Sequence, residues 1–371
     1  MNLISLSDPV LGEEEKRALA SVIDSGWLTM GDRVAAFEKS FARLQEADGA
    51  AAVSSCTAGL HLCLEALGIG PGDEVLVPSL TFVATANAVL YVGGTPVFVD
   101  IEKERPHISI KDAEAKLTPK TKAAIVMHYG GYLVDLPAWQ AFAKTHALKL
   151  VEDAAHAPAM KGVGRLSDAA AFSFFSNKNM TTGEGGMVVA RDGALLEQVR
   201  RLRSHGMTTG TLDRYRGHAY SYDVTALGFN YRMDELRAAI GLVQIAHVDE
   251  WNKRRRKLTV FYRRTLEEHC PRVSIPFGKD HETAAHLLPV LLPEGADRNR
   301  VMTNLRKEKI QSSVHYPPIH TFSYFRRRFP KLSLPNTEHF CARELTLPLH
   351  PSLTERDVER VASSLAKFID E

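Results

Sequence analysis

The stretch AAAVSSCTAGLHLCLEALGI, residues 50–69, changes within a few positions from the pattern of a buried strand to that of a helix. The same alternation continues to about residue 190. Further β-rich runs, each bounded by polar residues or glycine, are EVLVPSLTF, TPVFVDI, AAIVMHY and LKLVEDA. Strands that alternate with helices predict a mostly parallel sheet with helices on both faces, in which ligands bind beyond the carboxyl ends of the strands. The sequence therefore predicts an α/β fold with its site at that edge.

The length of the chain, 371 residues, favours a large domain with a smaller one attached. After residue 230 the alternation gives way to a long helical pattern over residues 230–269, which is a plausible connector between domains. Beyond it lie a strand, HLLPVLL, a helix with Asp297 as its N-cap, and a final helix from Thr354. We expect a large α/β domain at residues 1–245 and a small α+β domain at residues 246–371.

The composition is that of an ordered, soluble protein, because 44% of the residues are apolar, 24% are charged and the formal net charge is +2. This near balance gives no field that would favour nucleic acid or an anionic membrane as a partner. The N-terminal segment turns polar and acidic before a signal peptide could form. The uncharged run from Val75 to Val99 contains Pro78 and Gly93, which break a membrane-spanning helix, so we interpret it as strand, loop, helix and strand. We expect a cytoplasmic protein.

The cysteines show neither CxxC pairing nor metal-ligand spacing; they are Cys56, Cys63, Cys270 and Cys341. Such scatter is typical of buried free thiols in a reducing compartment. The sequence predicts no metal site.

One lysine, Lys178, lies between an aromatic run and a glycine-rich run in FFSNKNMTTGEGGM, residues 174–187. It follows the strand AAFSFF, and a lysine after a strand, beside flexible backbone, is a candidate for an imine with an aldehyde cofactor. For an isolated lysine, a surface loop would be the better explanation. Asp153, directly after the strand LKLVE, either caps the next helix or pairs with a buried cation. Hydroxyl and backbone donors that suit a phosphate come from Thr57, Ala58 and Ser173.

Several long motifs occur in order along the chain: SGWLTMGDRVAAFE, PSLTFVATANAVLYVGGTPVFVDI, VEDAAHAPA, FSFFSNKNMTTGEGGMV, SYDVTALGFNYRMDELRAAIGLVQ, SVHYPPIH and LTLPLHPSLTERDV. Together they resemble the DegT/DnrJ/EryC1/StrS family of sugar aminotransferases. That family binds pyridoxal 5′-phosphate (PLP) in the fold type I architecture of aspartate aminotransferase, and the resemblance covers nearly the whole chain. It implies a mostly parallel central sheet with a smaller C-terminal α+β domain.

By this resemblance, Lys178 would hold the cofactor through an imine and, once displaced by the amino donor, would act as general base and acid in the proton transfer. Asp153 would pair with the pyridine nitrogen and keep it protonated, which makes the ring a better electron sink. Phe82 would stack on the cofactor ring, although a phenylalanine after a strand is more often simple core.

The resemblance implies that Thr57, Ala58 and Ser173 bind the phosphate of the cofactor. Asn230, in LGFNYR, resembles an asparagine that reaches the phosphate from a second subunit, which implies an obligatory homodimer with shared active sites. His156 stands where glutamine is commoner in the family. It would form a hydrogen bond near the phenolic oxygen of the cofactor. A structural histidine, whose hydrogen bonds are made at the start of a helix, is an equal alternative.

The run VHYPPIH resembles the loop that lines the sugar end of the pocket, which implies substrate contacts by His315, Tyr316 and His320. The basic runs NKRRRK and FRRRF are interpreted as solvated faces rather than as sites for a nucleotide diphosphate or nucleic acid.

The implied reaction is transfer of the amino group of L-glutamate to a nucleotide-linked keto sugar. The motif LGFNYRMDELRAAIGL favours carbon 4 of a dTDP-4-keto-6-deoxyhexose. Transfer at carbon 3, a UDP or GDP carrier, or a keto-cyclitol substrate stay open. The dehydratase branch of the family carries histidine at the lysine position, so Lys178 argues against it. A non-catalytic regulator with this fold is disfavoured, because the chain has no appended DNA-binding segment.

Overall fold

The computed structural model describes residues 2–209, 217 and 221–369. The strands are β1 Ala50–Val53, β2 Glu74–Pro78, β3 Thr95–Val99, β4 Thr121–Met127, β5 Lys149–Asp153, β6 Ala169–Ser173, β7 Gly186–Ala190, β8 Leu288–Leu291 and β9 Glu344–Leu347. The helices are α1 Glu13–Ser25, α2 Asp32–Leu44, α3 Cys56–Ala66, α4 Ala84–Tyr91, α5 Ile110–Ala115, α6 Leu136–Thr145, α7 Gly193–Leu202, α8 Glu235–Gln244, α9 Val248–His269, α10 Arg298–Lys307, α11 Ser323–Arg328, α12 Pro335–Arg343 and α13 Glu355–Ile369.

Within the described residues, the central sheet has seven strands in the order β1-β7-β6-β5-β4-β2-β3. Strands β2 to β6 pair in parallel, and β7 runs antiparallel to both β6 and β1. Helices cover both faces, so the strands are short apolar runs; every residue of β1, β6 and β7 is buried. The predicted α/β fold with a mostly parallel central sheet is confirmed.

The stretch from residue 50 turns from strand to helix at Ser55, which caps α3 by accepting a hydrogen bond from the amide of Ala58 (3.1 Å). Strand β7 crosses close to this cap. A β-carbon on Gly186 would lie 2.6 Å from the backbone nitrogen of Cys56, so only glycine allows the approach. The glycine-rich run after Lys178 therefore brings its loop against the N-terminus of α3.

The uncharged run from Val75 to Val99 forms β2, a loop, α4 and β3, as predicted. Helix α4 has only two turns and ends just before Gly93. None of the described helices combines the length and the apolar character that crossing a bilayer requires.

Residues 230–269, predicted as one long helical pattern, form two helices, α8 and α9, with a break between them. Asp249 and Glu250 in the first turn of α9 favour a new helix start, since acidic side chains stabilise a helix N-terminus. Asp297 caps α10 as predicted, accepting from the amide of Arg300 (3.0 Å).

A separate apolar cluster joins α9 and α13 to the antiparallel pair of β8 and β9. Ile4, from the other end of the chain, is buried in this cluster and pairs with Ile310. The boundary between residues 245 and 246 stays a prediction.

Candidate active site

A cavity of about 410 Å³, here called the Lys178 cavity, lies beyond the carboxyl ends of β5 and β6. This is the edge where parallel sheets bind ligands. Residues from separate segments line it, and the predicted ones among them are Thr57, Phe82, Asp153, His156, Ser173, Lys178, His315 and Tyr316. The chain therefore brings most of the predicted site residues together.

Asp153, the last residue of β5, is a buried carboxylate held in a fixed orientation. Its Oδ2 accepts a hydrogen bond from Thr85 Oγ1 (2.6 Å), and its Oδ1 accepts from the amide of Ala155 (3.2 Å). Burial raises the pKa of this carboxyl, while the two hydrogen bonds and the positive charge of Lys178 oppose the rise. A cationic N–H donor at this position would therefore stabilise the carboxylate strongly.

Lys178 lies in the loop between β6 and β7, and the next residue pins that loop. The side chain of Asn179 donates to Asn252 Oδ1 (2.7 Å) and to the carbonyl of Ala284 (2.8 Å). Burial lowers the pKa of Lys178 to about 8, against the opposing effect of Asp153. The amine can thus gain or lose a proton near neutral pH, which a nucleophile or general base requires.

The N-terminus of α3 faces the same cavity through Ser55, Cys56 and Thr57. Helix N-termini present unpaired amides and a partial positive charge, which suits a phosphate. Ser173, at the end of β6, adds a hydroxyl that already accepts from the amide of Phe175 (3.3 Å). These groups form a cradle for an anion on the sheet side of the cavity.

His156 is neutral, and its hydrogen bonds define where its proton lies. Its Nδ1 accepts from the amide of Gly130 (3.2 Å), and its Nε2 lies 3.1 Å from the Tyr316 hydroxyl. Burial, then the charge of Lys178, hold its pKa well below the usual range. The single proton is therefore on Nε2 and is donated to the oxygen of Tyr316, so the Tyr316 hydroxyl can donate to a molecule in the cavity.

A tight turn positions this histidine. Gly131 has a left-handed φ of +88°, and a β-carbon there would lie 2.8 Å from the carbonyl oxygen of His156 and 3.0 Å from the amide of His286. Any larger residue would push the two imidazole-bearing segments apart.

His286 is a second neutral imidazole at the cavity wall. Its Nδ1 lies 2.8 Å from Asn179 Oδ1, which is an acceptor because the amide nitrogen of Asn179 donates elsewhere. Burial keeps the pKa of His286 well below its usual range. Its proton is on Nδ1, so Nε2 is left as a hydrogen-bond acceptor.

His315, which comes from another segment, also has its Nδ1 in a hydrogen bond with a neighbouring side chain. Its Nδ1 lies 2.9 Å from Thr346 Oγ1, whose own hydroxyl donates to Glu344. Burial and the charge of Lys178 lower the pKa of His315 to about 4. Nε2 of His315 is therefore a second uncharged acceptor at the cavity wall.

A family model for the DegT/DnrJ/EryC1/StrS aminotransferase family matches residues 9–366. This chain belongs to that family. It is 38% identical over 380 residues to the spore coat polysaccharide biosynthesis protein SpsC of Bacillus subtilis, covering 99% of this chain and 97% of that protein.

Solved structures of aminotransferases are also similar to this chain over nearly its whole length. Helicobacter pylori PseC, an aminotransferase involved in the biosynthesis of pseudoaminic acid, matches with a TM-score of 0.92 and 29% identity over 100% of both chains. DesI, solved in the presence of its TDP-sugar product, matches with a TM-score of 0.88 and 31% identity over 99% of this chain and 92% of its own. The predicted family, the fold type I architecture and the enzyme class are confirmed.

The cofactor of the aminotransferase is PLP, as predicted. The Lys178 cavity fits this group on three counts. A buried carboxylate that forms no salt bridge within the described residues suits a pyridinium N–H, an amine with a lowered pKa suits an aldehyde, and a helix N-terminus suits a phosphate.

Three predicted residues do not line the cavity. Ala58 gives its amide to the Ser55 cap. Asn230 is an exposed residue whose backbone pairs with Ser204. His320 is buried, with Nδ1 2.7 Å from Ser79 Oγ and Nε2 3.1 Å from Glu338.

The sequence missed several residues of the aminotransferase site. Asn177 lines the cavity, and its buried Oδ1 has no hydrogen-bond partner among the described residues. Its place beside Lys178 is a signal that could have found it. Thr85 and His286 come from α4 and from the segment before β8, where no local pattern distinguishes them from core residues.

Proposed function

We propose that this aminotransferase moves the amino group of L-glutamate to a keto carbon of a nucleotide-linked sugar, and that the carbon is carbon 4 of a dTDP-4-keto-6-deoxyhexose. The observation that carries the proposal is the juxtaposition of Lys178 and Asp153 with a wall of uncharged hydrogen-bond acceptors. A sugar is rich in hydroxyl donors, and such a wall complements it.

The acceptors on this wall are Asn177 Oδ1, which has no partner among the described residues, and the Nε2 atoms of His286 and His315. Each would accept a hydrogen bond from a sugar hydroxyl without adding charge to the cavity. The Tyr316 hydroxyl would serve the opposite purpose, donating to a ring or keto oxygen. His320 would position the loop that carries His315 through its contacts with Ser79.

In the mechanism that we propose, bound PLP supplies an aldehyde that takes up the amino group and a ring that withdraws electrons. Lys178 Nζ would take the proton from the donor's amino-bearing carbon and, in the second half-reaction, deliver a proton to the sugar carbon. A pKa of about 8 suits both directions of transfer near neutral pH. Two half-reactions at one site predict ping-pong kinetics.

Asp153 would hold the ring nitrogen of the cofactor in its protonated form through a charge-assisted hydrogen bond. Thr85 and the amide of Ala155 would keep the carboxylate oriented for that bond. Thr57 and Ser173 would bind the phosphate together with amides at the N-terminus of α3, where the amide of Ala58 already binds Ser55. His156 and Phe82 would contact the cofactor from the wall above the sheet.

The carrier and the carbon are the finer part of the proposal. The motif LGFNYRMDELRAAIGL favours carbon 4 by resemblance. Support for a thymidine diphosphate carrier comes from DesI, which matches 99% of this chain and was solved with a TDP-sugar product.

We also propose a homodimer in which Asn230 serves the neighbouring subunit's site. In support, Asn230 is exposed, and large apolar side chains are exposed near it in sequence: Tyr222 at 53%, Val224 at 54% and Leu227 at 84%. Two further exposed aromatic residues, Phe82 and Phe175, line the cavity itself. Hybrid dimers of Asn230→Ala and Lys178→Ala chains would regain activity if the site is shared, and no rescue would argue against it.

The reaction is tested by incubating the PLP-loaded enzyme and L-glutamate with a panel of keto substrates. The panel contains 4-keto and 3-keto-6-deoxyhexoses on dTDP, a 4-keto sugar on UDP and on GDP, and a keto-cyclitol. Mass spectrometry should find amination of the dTDP-4-keto sugar and formation of 2-oxoglutarate. Amination of only the 3-keto sugar or the cyclitol would overturn the proposed substrate.

A further inference from the structure

A second cavity lies along helix α9 and shares no lining residue with the Lys178 cavity. Its volume is about 410 Å³, which is within the usual range for small-molecule sites, roughly 300–1,000 Å³. We call it the α9 cavity. Its wall includes Tyr132, Arg256, Val260, Arg263, Arg264 and Lys279.

The α9 cavity carries an excess of positive charge. Arg256, Arg263 and Arg264 all line it, and none of the three forms a salt bridge with a carboxylate of the described residues. Lys279 adds a fourth cation. Glu267 also lines the cavity and lies 3.8 Å from Lys279, but both side chains are largely exposed, so that pair is weak and one carboxylate faces four cations. Converging cations repel one another unless an anion lies between them.

Two of the arginines are held in place by hydrogen bonds that use only some of their N–H donors. Arg256 and Arg263 are two helical turns apart, on one face of α9, with Cα atoms about 10 Å from each other. Arg256 Nη1 donates to the carbonyl of Thr283 (3.1 Å), and Arg263 Nη2 donates to the carbonyl of Phe277 (2.8 Å). A guanidinium has five N–H donors, so these contacts fix the groups and leave others for a ligand. Val260, 68% exposed between them, offers an apolar contact.

Tyr132 supplies an independent observation. Its side chain is 1% exposed and lines the α9 cavity, yet its hydroxyl has no hydrogen-bond partner among the described residues. The ring cannot turn away, because it is stacked on Phe277 with centroids 3.7 Å apart and planes within 9°. A buried hydroxyl without a partner lowers stability, and phenylalanine would fill the same space without that cost. The hydroxyl of Tyr132 therefore calls for a partner. A ligand oxygen that accepts a hydrogen bond from this hydroxyl would be that partner.

We propose that the α9 cavity binds an organic diphosphate of the nucleoside diphosphate class. Two guanidinium groups spread along the helix suit an anion with more than one phosphate, since each can make paired hydrogen bonds to phosphate oxygens. The Tyr132 hydroxyl donates to one of these oxygens, and Val260 contacts the organic part. The site is separate from the proposed transamination, so the failure of either proposal leaves the other standing.

Titration calorimetry of the PLP-loaded enzyme with inorganic pyrophosphate, and separately with thymidine diphosphate, tests this site. Tyr132→Phe should weaken pyrophosphate binding by at least about tenfold, the lower end of what a hydrogen bond to a charged group contributes. Its melting temperature should be unchanged or higher, because the hydroxyl that is removed has no protein partner. Arg256→Gln together with Arg263→Gln should weaken binding at least about a hundredfold. Thymidine diphosphate, which the Lys178 cavity would also bind under the proposed function, should show in the wild-type enzyme a binding event that is tighter than that of pyrophosphate and that the double arginine variant loses.

Lys253→Gln is the matched control, since Lys253 is an exposed cation of the same helix that does not line the cavity. It should bind pyrophosphate as the wild type does. If the arginines only tie α9 to the segment at residues 277–283, the double variant will lose stability while Tyr132→Phe leaves affinity unchanged. That result, or an absence of pyrophosphate binding at millimolar concentration, would overturn the proposal.

Discussion

The two sides of the Lys178 cavity differ in charge and in origin. The sheet side carries the charged groups, Asp153 at the end of β5 and, in the loop after β6, Lys178 and Glu184. The opposite side carries neutral groups from the C-terminal half of the chain: His286, His315 and Tyr316. Burial lowers the pKa of both histidines and so keeps them uncharged. Proton transfer needs groups that change charge, whereas recognition of a sugar needs groups that do not. We therefore propose that the side with Asp153 and Lys178 carries out the chemistry and that the side with His286, His315 and Tyr316 recognises the sugar.

The largest effect that sharpens this contrast is expected at Asp153. Asp153→Asn should lower kcat by about a hundredfold to a thousandfold, because an amide cannot stabilise a positive charge on the cofactor ring. Folding should survive, since burial already disfavours the charged form of this residue. Turnover, melting temperature and cofactor absorbance separate lost chemistry from lost cofactor. Near-normal turnover would remove the carboxylate from the mechanism.

The next effect concerns the protonation of Lys178. Because its pKa is lowered to about 8, only the fraction of the amine that is deprotonated can attack the aldehyde of PLP. The rate of covalent attachment to cofactor-free enzyme should rise about tenfold per pH unit below that pKa and level off above it. Stopped-flow absorbance over a pH series measures this. A rate that still climbs past about pH 10 would indicate an ordinary lysine.

A smaller effect is expected at Thr85, a positioning residue that acts through Asp153. Thr85→Val removes the hydroxyl 2.6 Å from Asp153 Oδ2 and should lower kcat about tenfold, with little change in KM. Thr85→Ser keeps the donor and should restore most of the activity. Serine as inactive as valine would mean that the methyl group matters and the hydrogen bond does not.

The smallest effect is expected at Asn177, a neutral acceptor that lies next to Lys178 in the loop after β6. Asn177→Ala should raise KM for the sugar substrate about fivefold and leave kcat nearly unchanged, as removal of one neutral hydrogen bond would. Stability should hold, because the Oδ1 atom has no partner among the described residues. Ser176→Ala, a change at an exposed neighbour that does not line the cavity, is the control. A change in kcat rather than KM would mean that Asn177 serves the chemistry rather than recognition of the sugar.

The fold could be predicted because its signals are local. Short apolar strands, the change from strand to helix pattern in residues 50–69 and the glycines after Lys178 each act over a few residues, and the rule for parallel sheets then locates the site. Strand β7 escaped the prediction, since antiparallel pairing with β1 and β6 depends on contacts far apart in the chain. The break between α8 and α9 escaped it as well, because two adjoining amphipathic patterns look like one.

Asp153 and Lys178, where the resemblance and the strand ends coincide, lie together in one cavity as predicted, and their roles stay a prediction. The site was missed where a side chain arrives from a distant segment, as His286 and Thr85 do. For His320 the resemblance identified the loop, while the structure shows its ring bonded to Ser79 and Glu338. Which way a histidine faces depends on tertiary packing, and the motif does not encode it.

The most direct test of the account is to reduce the PLP-loaded enzyme with borohydride, digest it and locate the cofactor by mass spectrometry. The account predicts one labelled peptide, carrying the cofactor on Lys178, and no labelling in Lys178→Ala. A label on another lysine, or an enzyme that stays colourless and unlabelled with PLP, would contradict it.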